Sequence, residues 1–128
     1  MSKHSLKFSF VPGNFAVCRL SAGSPVPAWS LQGSFFAIAG TSEELSVVCL
    51  AEFVPEGVQQ DAGWICLKLA GPFPFSTTGI LASFIQPLSD NGVPIFAIST
   101  FDTDYVLIKE DFAGAALDVL QAAGHEIV

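Results

Sequence analysis

The sequence predicts an α+β fold built as two βαββαβ units in tandem, the first with reduced helices. Two observations predict it: a repeat hidden in the chain, and a second half whose apolar spacing alternates between strand and helix periods. Composition sets the frame for both. Of 128 residues, 51% are apolar and only 13% charged, so the chain can bury a core rather than remain unfolded.

The repeat runs in order through four matches. Phe15-Ala-Val-Cys-Arg-Leu20 aligns without a gap on Trp64-Ile-Cys-Leu-Lys-Leu69, and a glycine precedes each, Gly13 and Gly63. Pro25-Val-Pro27 is followed by the like of itself in Pro72-Phe-Pro74. Phe36-Ala-Ile38 returns as Phe96-Ala-Ile98, with Thr41-Ser-Glu-Glu44 set against Phe101-Asp-Thr-Asp104. Both copies close on an apolar strand, residues 45–50 and 105–108. Self-similarity of this kind marks repeated supersecondary units. Leu20 to Phe36 spans 16 positions and Leu69 to Phe96 spans 27, so the second copy holds 11 more residues there, roughly three helical turns.

Those residues have helical spacing. Leu81, Phe84, Ile85 and Leu88 fall at i, i+3, i+4 and i+7. The hydroxyls of Ser76, Thr77 and Thr78 suit an N-cap, and Gly92 a left-handed position past the C-terminus. Pro87 predicts a kink or an early end. Residues 94–101 and 104–108 then read as a hairpin, with Asp102-Thr103 as a tight turn. A second apolar stripe, Phe112, Ala115, Ala116, Val119, Leu120 and Ala123, follows, with Gly124 at its end. Residues 125–128 suffice for a short last strand. The order β-α-β-β-α-β is the ferredoxin-like arrangement, helices on one face of an antiparallel sheet.

The first copy keeps the hairpin but has a short first crossover, and only eleven residues, 53–63, where a second helix and last strand belong. We expect a degenerate unit over residues 1–60 and a complete one over 61–128. In front of the first copy, Leu6, Phe8 and Phe10 alternate with Ser5, Lys7 and Ser9. This spare strand is expected at the missing edge of the first unit's sheet.

Charge narrows the partners. The net charge is −7, with five Lys and Arg and no basic cluster, so phosphate backbones and anionic membrane surfaces are poor partners. Cys18, Cys49 and Cys66 sit in strand-like runs without CxxC spacing, which fits core packing in a reducing, cytoplasmic compartment. The start of the chain shows no signal-peptide apolar stretch. Residues 20–42 and 69–89 are uncharged, but Pro, Ser and Gly interrupt them, so neither reads as a membrane span.

Enzyme signatures are not found. The chain has no GxSxG, no HExxH, no cysteine beside a plausible base, no zinc-spaced His/Cys cluster and no glycine-rich phosphate loop. No enzyme activity and no cofactor are expected. His4 and His125 stand near opposite termini and are expected to be solvated or structural, and Trp29 and Trp64 to be packing rings.

Thr78-Gly-Ile-Leu81, then Pro87-Leu88, then the run from Ile95 through Ile98-Ser-Thr-Phe-Asp-Thr-Asp104 to Glu110 resemble the ACT domain of the CASTOR-like group. The resemblance extends over essentially the whole chain and is most specific from Ile98 to Lys109. It implies a regulatory protein that binds an amino acid at an interface between ACT units, within or between chains, and forms homo-oligomers. By motif it places the ligand against Thr78, Gly79 and Ile80 at the helix start and Ser99, Thr100, Phe101 and Asp104 on the hairpin. A sensor of this kind acts on an effector protein that the sequence does not identify.

Chemistry agrees with those positions. Unpaired N–H groups at a helix start suit a carboxylate, a glycine permits close approach, and Asp104 suits an ammonium or guanidinium group. Thr78 also reads as an N-cap, Gly79 as a packing position, and Asp102 and Asp104 as turn residues. Ser99 and Thr100 are expected on opposite strand faces, only one of them toward a given pocket. The rival reading is a ligand-free assembly module whose exposed apolar surface drives dimerisation.

Overall fold

The computed structural model describes residues 4–128; the first three residues of the predicted N-terminal segment lie outside it. The chain folds as β1 (Lys7–Ser21), β2 (Ala37–Gly40), β3 (Glu44–Leu50), β4 (Gln59–Leu69), α1 (Ile80–Asp90), β5 (Ile95–Ser99), β6 (Asp104–Lys109), α2 (Ala113–Ala122) and β7 (Glu126–Ile127). Single 3-10 turns lie at Ala28–Ser30, Ala51–Phe53 and Glu110–Phe112. Contacts divide it into two units: the described part of Met1–Phe10 with Ile65–Val128, and Val11–Trp64. Strands β1 and β4 are long enough to contribute to both.

The unit holding residues 65–128 carries the βαββαβ order as β4-α1-β5-β6-α2-β7. Its strands neighbour one another as β1-β4-β6-β5, and β7 lies parallel on β1, Lys7 opposite Glu126 and Phe8 opposite Ile127. This corrects the expected place of residues 5–10. They do not complete the first unit's sheet; they insert beside β4, between it and the last strand. Phe8 is the physical reason. It is fully buried against Phe84 of α1, ring centroids 5.3 Å apart, edge to face.

Helix α1 buries Ile80, Phe84 and Leu88, one residue per turn, with Leu81 and Ile85 flanking. Helix α2 adds Ala116 and Leu120, and the strands add Leu67, Leu69, Val106 and Ile108. Both helices end the same way. Val93 N–H donates to Leu88 O and Gly92 N–H to Ser89 O, while His125 N–H donates to Leu120 O and Gly124 N–H to Gln121 O. Each pair is a Schellman closure with a left-handed glycine, φ +72° at Gly92 and +94° at Gly124. The second stripe starts later than expected, since Phe112 lies in a 3-10 turn and is exposed.

Pro87 neither kinks α1 to an end nor shortens it; the helix runs on to Asp90. Proline's missing N–H orphans the carbonyl four residues back, that of Ser83. His125 supplies the replacement: its Nε2 donates to Ser83 O at 2.8 Å. Its Nδ1 accepts the Leu6 N–H at 3.1 Å, which makes the ring the neutral Nε2–H tautomer. At 4% exposure, His125 is a structural residue that ties α1 to the start of β1.

The unit of residues 11–64 has strand order β2-β3-β1-β4. Among its described residues the helices are reduced to the two 3-10 turns at 28–30 and 51–53. One face packs Ala16, Cys18, Leu45, Val47 and Cys49 with Trp29, Ile38 and Val54 alongside, and Phe15, Phe35, Val48 and Trp64 are buried as well. Phe15 and Phe35 meet edge to face at 5.8 Å.

Candidate ligand-binding cleft

The β4–α1 connection and the β5–β6 turn build a cleft in the helix-bearing unit. The chain leaves β4 through Ala70 and a cis Gly71–Pro72 bond. Phe73 N–H donates to Asp102 O at 2.9 Å, and Thr77 N–H closes a turn onto Pro74 O. Gly71 is required by close approach: a Cβ there would lie 2.9 Å from Asp102 O and 3.0 Å from Thr103 Cβ. Thr103, only 6% exposed, fixes the other wall by donating its hydroxyl to Leu69 O at 2.8 Å.

The hairpin turn is longer than Asp102-Thr103. Strand β5 ends at Ser99 and β6 begins at Asp104, leaving residues 100–103 as the loop. Thr100 N–H donates to Thr103 O at 2.8 Å, and Thr103 N–H to Thr100 Oγ1 at 3.3 Å. Ser99 Oγ donates to Asp104 Oδ1 at 2.5 Å across the last strand pair. That leaves Oδ2 of the carboxylate for another donor.

Around this frame lies a cleft of about 190 Å³, room for roughly six waters at their liquid volume. Ile80, Ser99, Thr100, Phe101 and Asp104 line it, together with Phe73, Phe75, Thr77, Asp102 and Thr103. Ser99 and Thr100 both face it, contrary to strict alternation, because the strand has ended at Ser99 and Thr100 is already in the turn. Thr78 and Gly79 are not among the lining residues. Thr78 O instead accepts a hydrogen bond from His4 Nε2 at 3.0 Å, and a Cβ on Gly79 would lie 3.7 Å from the His4 ring.

The helix start differs from expectation too. Gly79, left-handed at φ +79°, is the N-cap residue, and no hydroxyl caps α1. The first intrahelical bond runs from Ser83 N–H to Gly79 O, so the N–H groups of residues 80–82 have no acceptor within the helix. Sequence reasoning did not find Phe73, Phe75, Thr77, Thr103 or Gly71 for this cleft. The Pro72-Phe-Pro74 element of the repeat was the available signal; it holds Phe73 and is flanked by Gly71 and Phe75.

Burial pushes the Cys66 thiol up to about 12, and burial together with neighbouring Cys18 does the same for Cys49, so these thiols stay protonated and inert. Among the described residues no group of three or more His, Cys, Asp or Glu is placed to hold a metal. No helix among them is long and apolar enough to cross a membrane.

Comparison with known proteins follows the same division. The sequence model of the ACT domain matches residues 59–122, and an N-terminal-domain model matches residues 13–57. The chain is 36% identical over 59 residues to the Cytosolic arginine sensor for mTORC1 subunit 1 of Mus musculus and of Homo sapiens. That match spans 45% of this chain but only 18% of either relative. It is 30% identical over 87 residues to the human Putative protein CASTOR3P, 58% of this chain and 53% of that one. The crystal structure of protein Atu0741 from Agobacterium tumefaciens superposes with a TM-score of 0.93 at 42% identity, covering 98% of this chain and 93% of that one. The ligand-free regulatory subunit of aspartate kinase from Thermus thermophilus shares the fold, with a TM-score of 0.64 at 15% identity over 91% of this chain and 96% of its own.

Proposed function

This chain belongs to the ACT domain family, and on that premise we propose that it is a regulatory, non-enzymatic module that binds an amino acid in the cleft between the start of α1 and the β5–β6 turn. The observation that carries the reading is the convergence of Ile80, Ser99, Thr100, Phe101 and Asp104 on one concavity. In this reading the free oxygen of Asp104 takes the ligand's ammonium group, and Phe101 walls its aliphatic part. The open N–H groups at the start of α1, with Thr78 and Gly79 as the backbone that sets their direction, take the carboxylate.

At about 190 Å³ the cleft is smaller than the roughly 300–1,000 Å³ of pockets for drug-sized ligands. It suits a small metabolite, and a second copy of the chain completes the enclosure in a homodimer. The similarity to proteins named cytosolic arginine sensors supports amino-acid sensing in the cytoplasm, with the bound state read by an effector protein. Ligand binding would bias an interface and so transmit the signal.

Thermal unfolding against each common amino acid at millimolar concentration tests this. A ligand at ~100 times its Kd adds about 2.7 kcal/mol, so one or two amino acids should raise Tm selectively. Asp104→Ala should abolish that rise while lowering the unliganded Tm by only a few °C, as expected for losing the one Ser99–Asp104 hydrogen bond at about 0.5–1.5 kcal/mol. If no amino acid moves Tm, the reading is wrong. The exposed rings of Phe75 and Phe101 then favour the alternative, an assembly module without a small ligand.

A further inference from the structure

The cleft's lining has a charge balance that narrows its ligand beyond "amino acid". Its ionised side chains are the two carboxylates of Asp102 and Asp104, and no Lys, Arg or His lines it. Of the helix start only Ile80 is among the lining residues. The anion-accepting side is thus slender and the cation-accepting side well furnished.

The aromatic residues supply an independent indication. Phe75 and Phe101 are 76% and 79% exposed, and neither belongs to the core of the unit. They nevertheless hold each other edge to face at 5.0 Å and 81° across the mouth, one from each loop. Packing of the fold does not require two such rings in solvent. Phenylalanine faces attract cations within about 6 Å, and with carboxylates behind them they form the walls of a site for an alkylammonium or guanidinium group.

We infer that the cleft recognises an organic cation, with the positive group rather than the zwitterion as the determinant, and that it rejects dicarboxylic amino acids. The inference rests on the reading of this cleft as the ligand site. A second carboxylate would meet Asp102 and Asp104 in a lining without a basic side chain, since Lys68 lines the neighbouring concavity that Asp102 borders and not the cleft itself. An amine that has lost its α-carboxylate forfeits only the slender side.

The test uses matched pairs on the full chain by isothermal titration calorimetry at low salt: L-lysine with cadaverine, L-arginine with agmatine, and L-glutamate as the dicarboxylate. Cadaverine or agmatine should bind within about threefold of its parent or tighter, and L-glutamate should give no heat. Asp104→Asn should remove binding of both amines, and Phe101→Ala should weaken the better of them by about three- to tenfold, in keeping with an exposed cation–π contact. Circular dichroism and unliganded Tm of both variants establish that the fold is kept. If L-lysine or L-arginine binds and neither amine does, the zwitterion is the determinant and the inference falls while the amino-acid reading stands. Binding of L-glutamate overturns the inference as well. Binding of the amines with no response to any amino acid upholds it and overturns the amino-acid reading, and silence from every probe overturns both.

Discussion

The two hairpins of this chain share a turn and differ in what the turn presents. In the first, Gly40 pairs with Leu45 and the loop is tied by Thr41 N–H to Glu44 O at 2.9 Å. The Thr41 hydroxyl accepts from Glu43 and Glu44 N–H as well. In the second, Ser99 pairs with Asp104, and Thr100 makes the corresponding bonds to Thr103. Thr41 therefore corresponds to Thr100, one residue away from the sequence match that set it against Phe101. A one-residue slip exchanges the faces of a strand, so the correction has consequences. The place of the Ser99–Asp104 pair is held in the first hairpin by Gly40 and Leu45, and Leu45 is 7% exposed. The backbone frame was kept in both copies, and the polar pair and the crossover helix stand in one. The cleft between the β4–α1 connection and the β5–β6 turn is built from all three.

That comparison breaks most severely where the helix-bearing unit loses its packing. Phe84 is fully buried between Phe8 and His125, and the 11–64 unit has no equivalent ring on a helix. Phe84→Ala should cost about 3–5 kcal/mol, measured by urea unfolding. Hydrogen exchange should show protection lost first over residues 65–128, with the strand amides of residues 15–21 and 44–50 exchanging later. Equal loss across both sets would mean that the two units unfold as one.

Much of this was legible from residues whose environment is local. The stripe through Phe84 and Leu88, the Gly92 and Gly124 ends, and the reduced crossover of the first copy follow from spacing and backbone preference. Ile80, Ser99, Thr100, Phe101 and Asp104 came from the resemblance to the ACT family rather than from spacing, and these five line one cleft. What spacing could not supply were pairings between distant parts. His125 lies 42 residues from Ser83 and 119 from Leu6, and nothing local to any of them announces the contact. The same holds for Phe8, whose alternation shows a strand but not its neighbour, and for Gly71, whose need for no side chain arises from Asp102 and Thr103. The hairpin register was misread because Phe36 and Phe96 match as letters, while the backbone aligns Ala37 with Phe96.

The His125 clamp gives the next largest effect. His125→Ala leaves the Leu6 N–H and the Ser83 carbonyl without their partners, at about 1–3 kcal/mol for each group that stays dry. Pro87→Ala restores a helical N–H able to reach Ser83 O, since its absence is what freed that carbonyl. The double mutant should therefore recover part of the loss, and Pro87→Ala should stabilise more in the His125→Ala background than in the parent. Additive effects in that double-mutant cycle would show that His125 does not stand in for the proline's missing bond.

The smallest effect is the most direct check of the register. If Thr41 and Thr100 are equivalent, then Thr41→Val and Thr100→Val each remove one side-chain anchor from the same kind of loop. Both threonines are exposed, but the Thr41 bonds run between exposed groups while Thr100 bonds to the buried Thr103, and net contributions of such bonds run to about 0.5–1.5 kcal/mol. Each substitution should sit at the lower end, with Thr100→Val the costlier of the two because less water is at hand to replace the lost partner. Phe101→Val, by contrast, should leave stability nearly unchanged, since that ring is exposed and anchors no backbone group; under the shifted alignment it corresponds to Ser42, not to Thr41. Denaturant midpoints of the three variants decide the matter. A loss at Phe101 matching that at Thr41, with none at Thr100, would restore the alignment drawn from the letters and remove the reason given for the missing polar pair.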